Sequence, residues 1–260
     1  DYLTASLDTF AYIFFFGSFY FYLRAAGEKI YKSYKNYNYY ISVALATLAF
    51  FHFEMTLTLP FLIVAYEYFV RGISPSTALR VKGIRKIGGR VWPYFAIVAA
   101  YLFIRVVILH MGTRSAYLLD SFYLTMLTMV KVVVQYVIML FWPLNLSINP
   151  TLFDGIAAWP YPLADFTPIR NQSITDFYVL ISIAIIAGLL FSIKYFYKRV
   201  PIISFCVAWF FISILPVSYI IPQGTIFQER YIYIGSFGFT VLAAYIFEKV
   251  VWGVIKQYQK

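Results

Sequence analysis

Apolar stretches of about 20 residues recur along the chain, and the charge between them is dominated by Lys and Arg. A helix needs about 20 residues to cross a hydrocarbon core roughly 30 Å thick. Inside a bilayer irregular backbone cannot face lipid, so runs of this length are read as membrane-spanning helices. With 62% hydrophobic and 12% charged residues among 260, the expected fold is an all-α integral membrane protein. Residues 1–260 are read as a single transmembrane domain, a polytopic helical bundle.

The net charge of +10 does not point to nucleic acid, because of where the charges fall. Arg24, Lys29, Lys32 and Lys35 form one cluster. Arg71, Arg80, Lys82, Arg85, Lys86 and Arg90 form a second, Lys194, Lys198 and Arg199 a third, and Lys249, Lys256 and Lys260 a fourth. Together they hold 16 of the 21 Lys and Arg, and basic residues beside spans mark the cytoplasmic side. All four clusters are therefore placed inside, and no nucleic-acid partner is expected. Arg105, Arg114, Lys131, Arg170 and Arg230 lie elsewhere. The single cysteine, Cys206, sits in an apolar run, so no intrachain disulfide or thiolate metal cage is available.

Counting crossings under that constraint fixes an expected topology. Residues 4–23 run inward, with Asp1 and Asp8 toward the outside. The segment 39–70 has basic clusters at both ends and "HFEM" at its middle, so it reads as a short intramembrane hairpin. Each arm has about 15 residues, roughly 22 Å of helix, so the turn holding Glu54 falls below the outer surface. Residues 91–110 run outward. Residues 122–142 are apolar enough to cross, yet a crossing there would put the last two clusters outside. With Lys131 and Gln135 near its middle, this segment is expected to be an interfacial or re-entrant helix on the outer side. An ordered outer loop over 143–175 follows, then spans over 176–193, 202–215 and 231–247. The sequons at Asn145 and Asn171 fall on that loop.

Charged residues outside the clusters are the candidates for chemistry. Glu229 and Arg230 follow the helix-breaking Pro216, Pro222 and Gly224 and precede a span. There the Arg can bind an anionic group and the Glu can orient it or act as a base; a structural ion pair is the alternative. Glu54 is costly in a membrane hairpin unless paired, protonated or wetted. It reads equally as a helix cap or a partner for Arg105. Lys131 and Arg105 can reach a phosphate or snorkel to headgroups. Asp8 reads as a substrate contact or a cap. His52 and His110 are too few and too scattered for a metal site, and none is expected. No phosphate-cradling glycine loop, nucleophile elbow or metalloprotease motif is present.

"LPVSYIIPQGTIFQERYIYIGSFGF" resembles a stretch of the GT-C superfamily membrane glycosyltransferases that carry tetratricopeptide repeats, whose eukaryotic members are lumenal O-mannosyltransferases. "FHFEMTLTLPFLIVAYEYF", "FWPLNLSINP" and "SLDTFAYIFFFGSFYFYLRA" are similar to three further stretches of that family. All four occur in the family's order. The chain departs from the pattern at the hairpin turn, where Phe53 replaces the usual Lys and His52 the usual Ser. It departs again at Gly235, where the family has Pro.

The resemblance implies a GT-C-like transferase that moves a sugar from a polyprenyl-phosphate donor to a protein or lipid acceptor on the outer or lumenal face. The donor would be a substrate, with no tightly bound cofactor. Arg230, Glu229, Glu54, Lys131, Arg105 and Asp8 are the residues expected at the donor-phosphate or substrate site. The family's catalytic acid lies on an upstream outer loop, and no matched position here supplies it. The chain is accordingly expected to be the middle of a longer membrane domain, without the catalytic loop and the repeats. A bacterial inner membrane or the endoplasmic reticulum would suit it. The alternative is a non-catalytic membrane subunit derived from the same fold, packed with other membrane subunits.

Overall fold

A computed structural model describes residues 2–27, 37–72, 77–111, 116–143, 152, 169, 172–222 and 226–258. Side chains are described from residue 8 in the first helix, from 87 in the helix that begins at 77, and up to 251 in the last. Most of the 143–175 loop, including both sequons, Asp154, Asp165 and Arg170, lies outside the described residues, as do Lys29, Lys32, Lys35 and Arg114. The described chain is all-helical. It packs as two compact units, Asp1–Gly112 and Thr113–Lys260.

The first unit holds α1 (Tyr2–Gly27), α2 (Tyr37–His52), a 3₁₀ turn (Glu54–Thr58), α3 (Leu59–Phe69) and α4 (Thr77–Phe103). Helices α1 and α2 run antiparallel. Tyr12 meets Phe53 edge-on while Ser18 meets Ser42. The two serines, fully buried, exchange hydrogen bonds: Ser18 Oγ donates to the Ser42 carbonyl at 2.7 Å and Ser42 Oγ to the Ser18 carbonyl at 2.6 Å. Small side chains permit that close approach, and in lipid a polar pair has no water to compete with it. Tyr94 of α4 joins them through its hydroxyl, 2.7 Å from Ser42 Oγ.

The segment 39–70 does fold as a helical hairpin, with its break one residue past α2. Phe53 is extended (φ −151°, ψ 128°) and its carbonyl accepts both the backbone N–H and the hydroxyl of Thr56, at 3.1 and 2.6 Å. Pro60 stands in the first turn of α3, where a missing N–H costs nothing. The arms are 16 and 11 residues long. Tyr39 at the start of α2 donates to the Arg90 carbonyl, and Glu67 at the end of α3 lies 3.4 Å from Arg90 Nη1. The hairpin's two free ends therefore meet at one level of α4, and its turn lies at the other end.

The second unit holds α5 (Phe122–Phe141), α6 (Phe177–Phe196), α7 (Pro201–Ile214) and α8 (Tyr233–Tyr258). Ser121 caps α5 by accepting from the Leu124 N–H at 3.3 Å. Tyr123 accepts from the Ile174 N–H at 3.2 Å, so α5 and α6 begin at the same end of this unit. Helices α7 and α8 are antiparallel and very close. Trp209 Nε1 donates to the Ile234 carbonyl at 2.7 Å, and a Cβ added at Gly238 would stand 2.8 Å from the Cys206 carbonyl oxygen.

Four helical segments, Ile87–Ile108, Phe122–Phe141, Phe177–Phe196 and Glu229–Val251, are long and apolar enough to cross a membrane. Only 11–17% of the most apolar window is buried in three of them. Apolar surface of that extent is not tolerated in water, so this is a helical, multi-pass membrane protein. The 26 residues of α1 are long enough as well, but Asp8, Arg24 and four tyrosines make it less apolar. The segment 122–141 differs from the others, with 44% of its window buried.

Candidate functional site

Arg230 stands on a 3₁₀ turn, Glu229–Ile232, that leads into α8. Gln228 is extended (φ −145°, ψ 137°), which turns the chain abruptly before the helix. Two groups hold that corner. Tyr136 of α5 both accepts from the Gln228 N–H and donates to its carbonyl, each at 3.3 Å, and Phe227 stacks on the Tyr136 ring at 4.9 Å. Arg230 Nε donates to Gln228 Oε1 at 2.6 Å, with its guanidinium carbon 5.8 Å from the centre of the Tyr231 ring. Glu229 and Arg230 are half-buried and Tyr231 is buried. The guanidinium is thus oriented by a neutral amide over an aromatic floor, a setting that suits an anionic oxygen.

Lys131 lies on α5, five residues before Tyr136, and is 2% exposed. It is among the largest fully buried side chains described. Burial at this level leaves the ammonium no route to snorkel to headgroups. Thr128 and Gln135 lie on the same side of α5 at i−3 and i+4. Thr128 Oγ1 stands 3.3 Å from Gln172 Oε1, which comes from the segment before α6.

In the first unit Glu54 and Arg105 form an ion pair, Oε1 to Nη1, at 2.7 Å. Their side chains are 20% and 16% exposed. Arg105 belongs to a π-helical turn, Ile104–Ile108, in which the Leu109 N–H reaches back to the Ile104 carbonyl at 2.9 Å. The extra residue in that turn shifts the helix register, as π-turns do where a side chain has to be re-aimed. Of the two bland readings open to Glu54, pairing with Arg105 is the one realised. Asp8 is the seventh residue of α1 and is buried at 8% exposure. The uncapped N–H groups belong to the first turn, so Asp8 is too deep to cap this helix.

A second charged centre lies at the other end of this unit. Glu67 Oε1 receives the Tyr22 hydroxyl at 2.7 Å, Arg71 Nη1 at 3.0 Å and lies 3.4 Å from Arg90 Nη1. Arg71 also donates to the Ala26 carbonyl at 2.9 Å. One carboxylate thereby ties α1, α3 and α4 together. Sequence reasoning assigned Glu67 no role and counted Arg71 and Arg90 only as cytoplasmic charge; the i, i+4 spacing of Glu67 and Arg71 was the available signal.

Among the described residues no group of three or more His, Cys, Asp or Glu is placed to hold a metal ion. No protein family, curated protein or solved structure matches the chain. The functional reading therefore rests on the residues themselves and on the motif resemblance.

Proposed function

We propose that this chain is the membrane domain of a GT-C-like glycosyltransferase. It takes a sugar from a polyprenyl-phosphate donor and passes it to a protein or lipid acceptor at the outer or lumenal face of a bacterial inner membrane or the endoplasmic reticulum. The observation that carries the reading is Arg230, held by Gln228 at the head of α8 within one of the four resembling stretches. In the reaction an acceptor hydroxyl oxygen bonds to the anomeric carbon, the bond from that carbon to the phosphate oxygen breaks, and the acceptor proton passes to a base. Polyprenyl phosphate leaves with the electron pair. Arg230 binds the departing phosphate, where charge develops, and Glu229 and Lys131 set the field around it.

The topology belongs to the same proposal. The hairpin of α2 and α3 re-enters the membrane with Glu54 below the outer surface. Helix α5 dips from the outer face without crossing, which agrees with α5 and α6 beginning at one end. The four basic clusters then lie on the cytoplasmic side.

The test is donor binding and sugar transfer by the complete protein reconstituted in lipid. Arg230→Ala is expected to weaken donor binding by about tenfold or more, the order of one charge-assisted hydrogen bond, with partial recovery in Arg230→Lys. Unchanged donor affinity and unchanged transfer in Arg230→Ala would overturn the assignment.

A second reading is favoured by the hairpin turn. Phe53 packs edge-on against Tyr12, and Glu54 is taken up by Arg105, so the turn offers no lysine to a phosphate. On this reading the chain is a non-catalytic subunit that keeps the fold as scaffold for other membrane subunits. Donor lipid would then bind without turnover, and the protein would purify with its partners.

A further inference from the structure

Two side-chain atoms among the described residues are buried without a hydrogen-bond partner, Gln135 Oε1 and Gln172 Nε2, and both belong to the second unit. Leaving such a group unmade in a protein interior costs about 1–3 kcal/mol, so each calls for a cause. Gln172 is 8% exposed and is tied at its other amide atom to Thr128, 3.3 Å away. The Thr128 hydroxyl has one proton and the Leu124 carbonyl stands 3.0 Å from it. Turning the Gln172 amide over lets it donate to Thr128 instead, and one of its two polar atoms still faces nothing. Gln135 projects from the same side of α5 as Thr128 and Lys131, about 10 Å along the helix from Thr128.

A group that satisfies both an orphaned donor and an orphaned acceptor must itself donate and accept, and hydroxyls do both whichever way the amides are turned. A ligand carrying several hydroxyls can meet both amides, which are set apart along α5. We infer that Gln172 and Gln135, on either side of the buried Lys131, form the sugar-binding subsite for the hexose of the polyprenyl-phosphate donor. This rests on the glycosyltransferase reading and deepens it. Arg230 takes the phosphate, and the two amides read the hydroxyls of the sugar. Hydrogen-bonding sites of this kind discriminate strongly, because a sugar lacking the matching hydroxyl leaves a buried amide unmade.

The test compares binding of polyprenyl-phosphate-linked hexoses with binding of bare polyprenyl phosphate to the complete protein in nanodiscs. The proteins are the parent, Gln172→Leu, Gln135→Leu and Arg230→Ala. Thermal unfolding is measured alongside. Leu removes an orphaned polar atom at nearly constant volume, so each Leu variant is expected to melt no lower than the parent. At least one sugar-bearing lipid is expected to bind the parent more tightly than the bare lipid, and each Leu variant to lose about fivefold toward it. Bare-lipid affinity stays unchanged in both Leu variants and falls in Arg230→Ala. If bare lipid binds and depends on Arg230 but the sugar adds nothing, or its contribution survives both Leu changes, the subsite is wrong while the transferase reading stands. Internal water filling the two amides would give that result. If neither lipid binds the parent, the transferase reading fails and the subsite with it.

Discussion

Glu67→Leu tests whether the first unit is held by one carboxylate. The substitution leaves the guanidiniums of Arg71 and Arg90 without their counter-charge, and the two differ in their access to water. The Arg71 side chain is 22% exposed and keeps its bond to the Ala26 carbonyl, so it can relax outward. The Arg90 side chain is 11% exposed and is the stranded charge. Removing one partner of a buried pair costs about 3–5 kcal/mol, and the partial escape of Arg71 puts the expected loss near 3 kcal/mol. For a cooperative unit of this size that lowers the melting midpoint on the order of 10 °C. Replacing Arg90 by Leu as well removes the stranded charge, so the double variant should recover more than half of the loss. The measurement is thermal unfolding in mild detergent, followed by tryptophan fluorescence, as a double-mutant cycle with a coupling of about 2 kcal/mol. A single variant that melts with the parent, or a double variant whose losses simply add, would show that the carboxylate does not organise the unit.

Four further outcomes follow from other contacts. Gly238→Ala drives a Cβ to 2.8 Å from the Cys206 carbonyl oxygen and 3.1 Å from Trp209, so backbone has to move; it should lower stability by about 1–3 kcal/mol. Gly235→Ala meets chiefly Ser213 Oγ at 3.0 Å, a side chain that can rotate, so it should cost less in the same melt. Arg105→Leu exposes Glu54 but at a half-wet site, so a loss of about 1 kcal/mol is expected, recovered in part when the charges are exchanged as Glu54→Arg with Arg105→Glu. A cysteine placed at Thr151 in a Cys206→Ser background should react with an impermeant thiol reagent from the outer side only; labelling from the cytoplasmic side would refute the topology.

The helices were legible because their lengths follow from bilayer thickness. The segment read as 202–215 is Pro201–Ile214, that read as 176–193 is Phe177–Phe196, and the hairpin break predicted within 52–55 falls at Phe53. Helix α8 runs on to Tyr258, beyond the expected 247, since a helix need not stop where its apolar stretch does. The facing surfaces were not legible. Helix α1 is apolar nearly all round, so no stripe marked the side that meets α2; contacts such as the Ser18–Ser42 exchange and Phe14 against His52 reveal it. Charge counting places residues relative to the membrane and is blind to partners. It treated Arg90 like Lys86, although Arg90 turns inward to Glu67. Gln172 carried no signal at all, because an amide in a polar loop is ordinary until its neighbours are known.

The α2–α3 hairpin also sets an order of events during synthesis. Helix α3, at 11 residues, reaches about 16 Å and cannot cross a bilayer by itself. Its acidic residue leaves the ribosome before Arg71 and 23 positions ahead of Arg90, which must wait for α4 to be made. Until then Tyr22 and Arg71 are the partners this carboxylate has, and Arg90 completes the centre. On the proposed re-entrant topology, the hairpin is expected to settle into the membrane together with α4 rather than ahead of it.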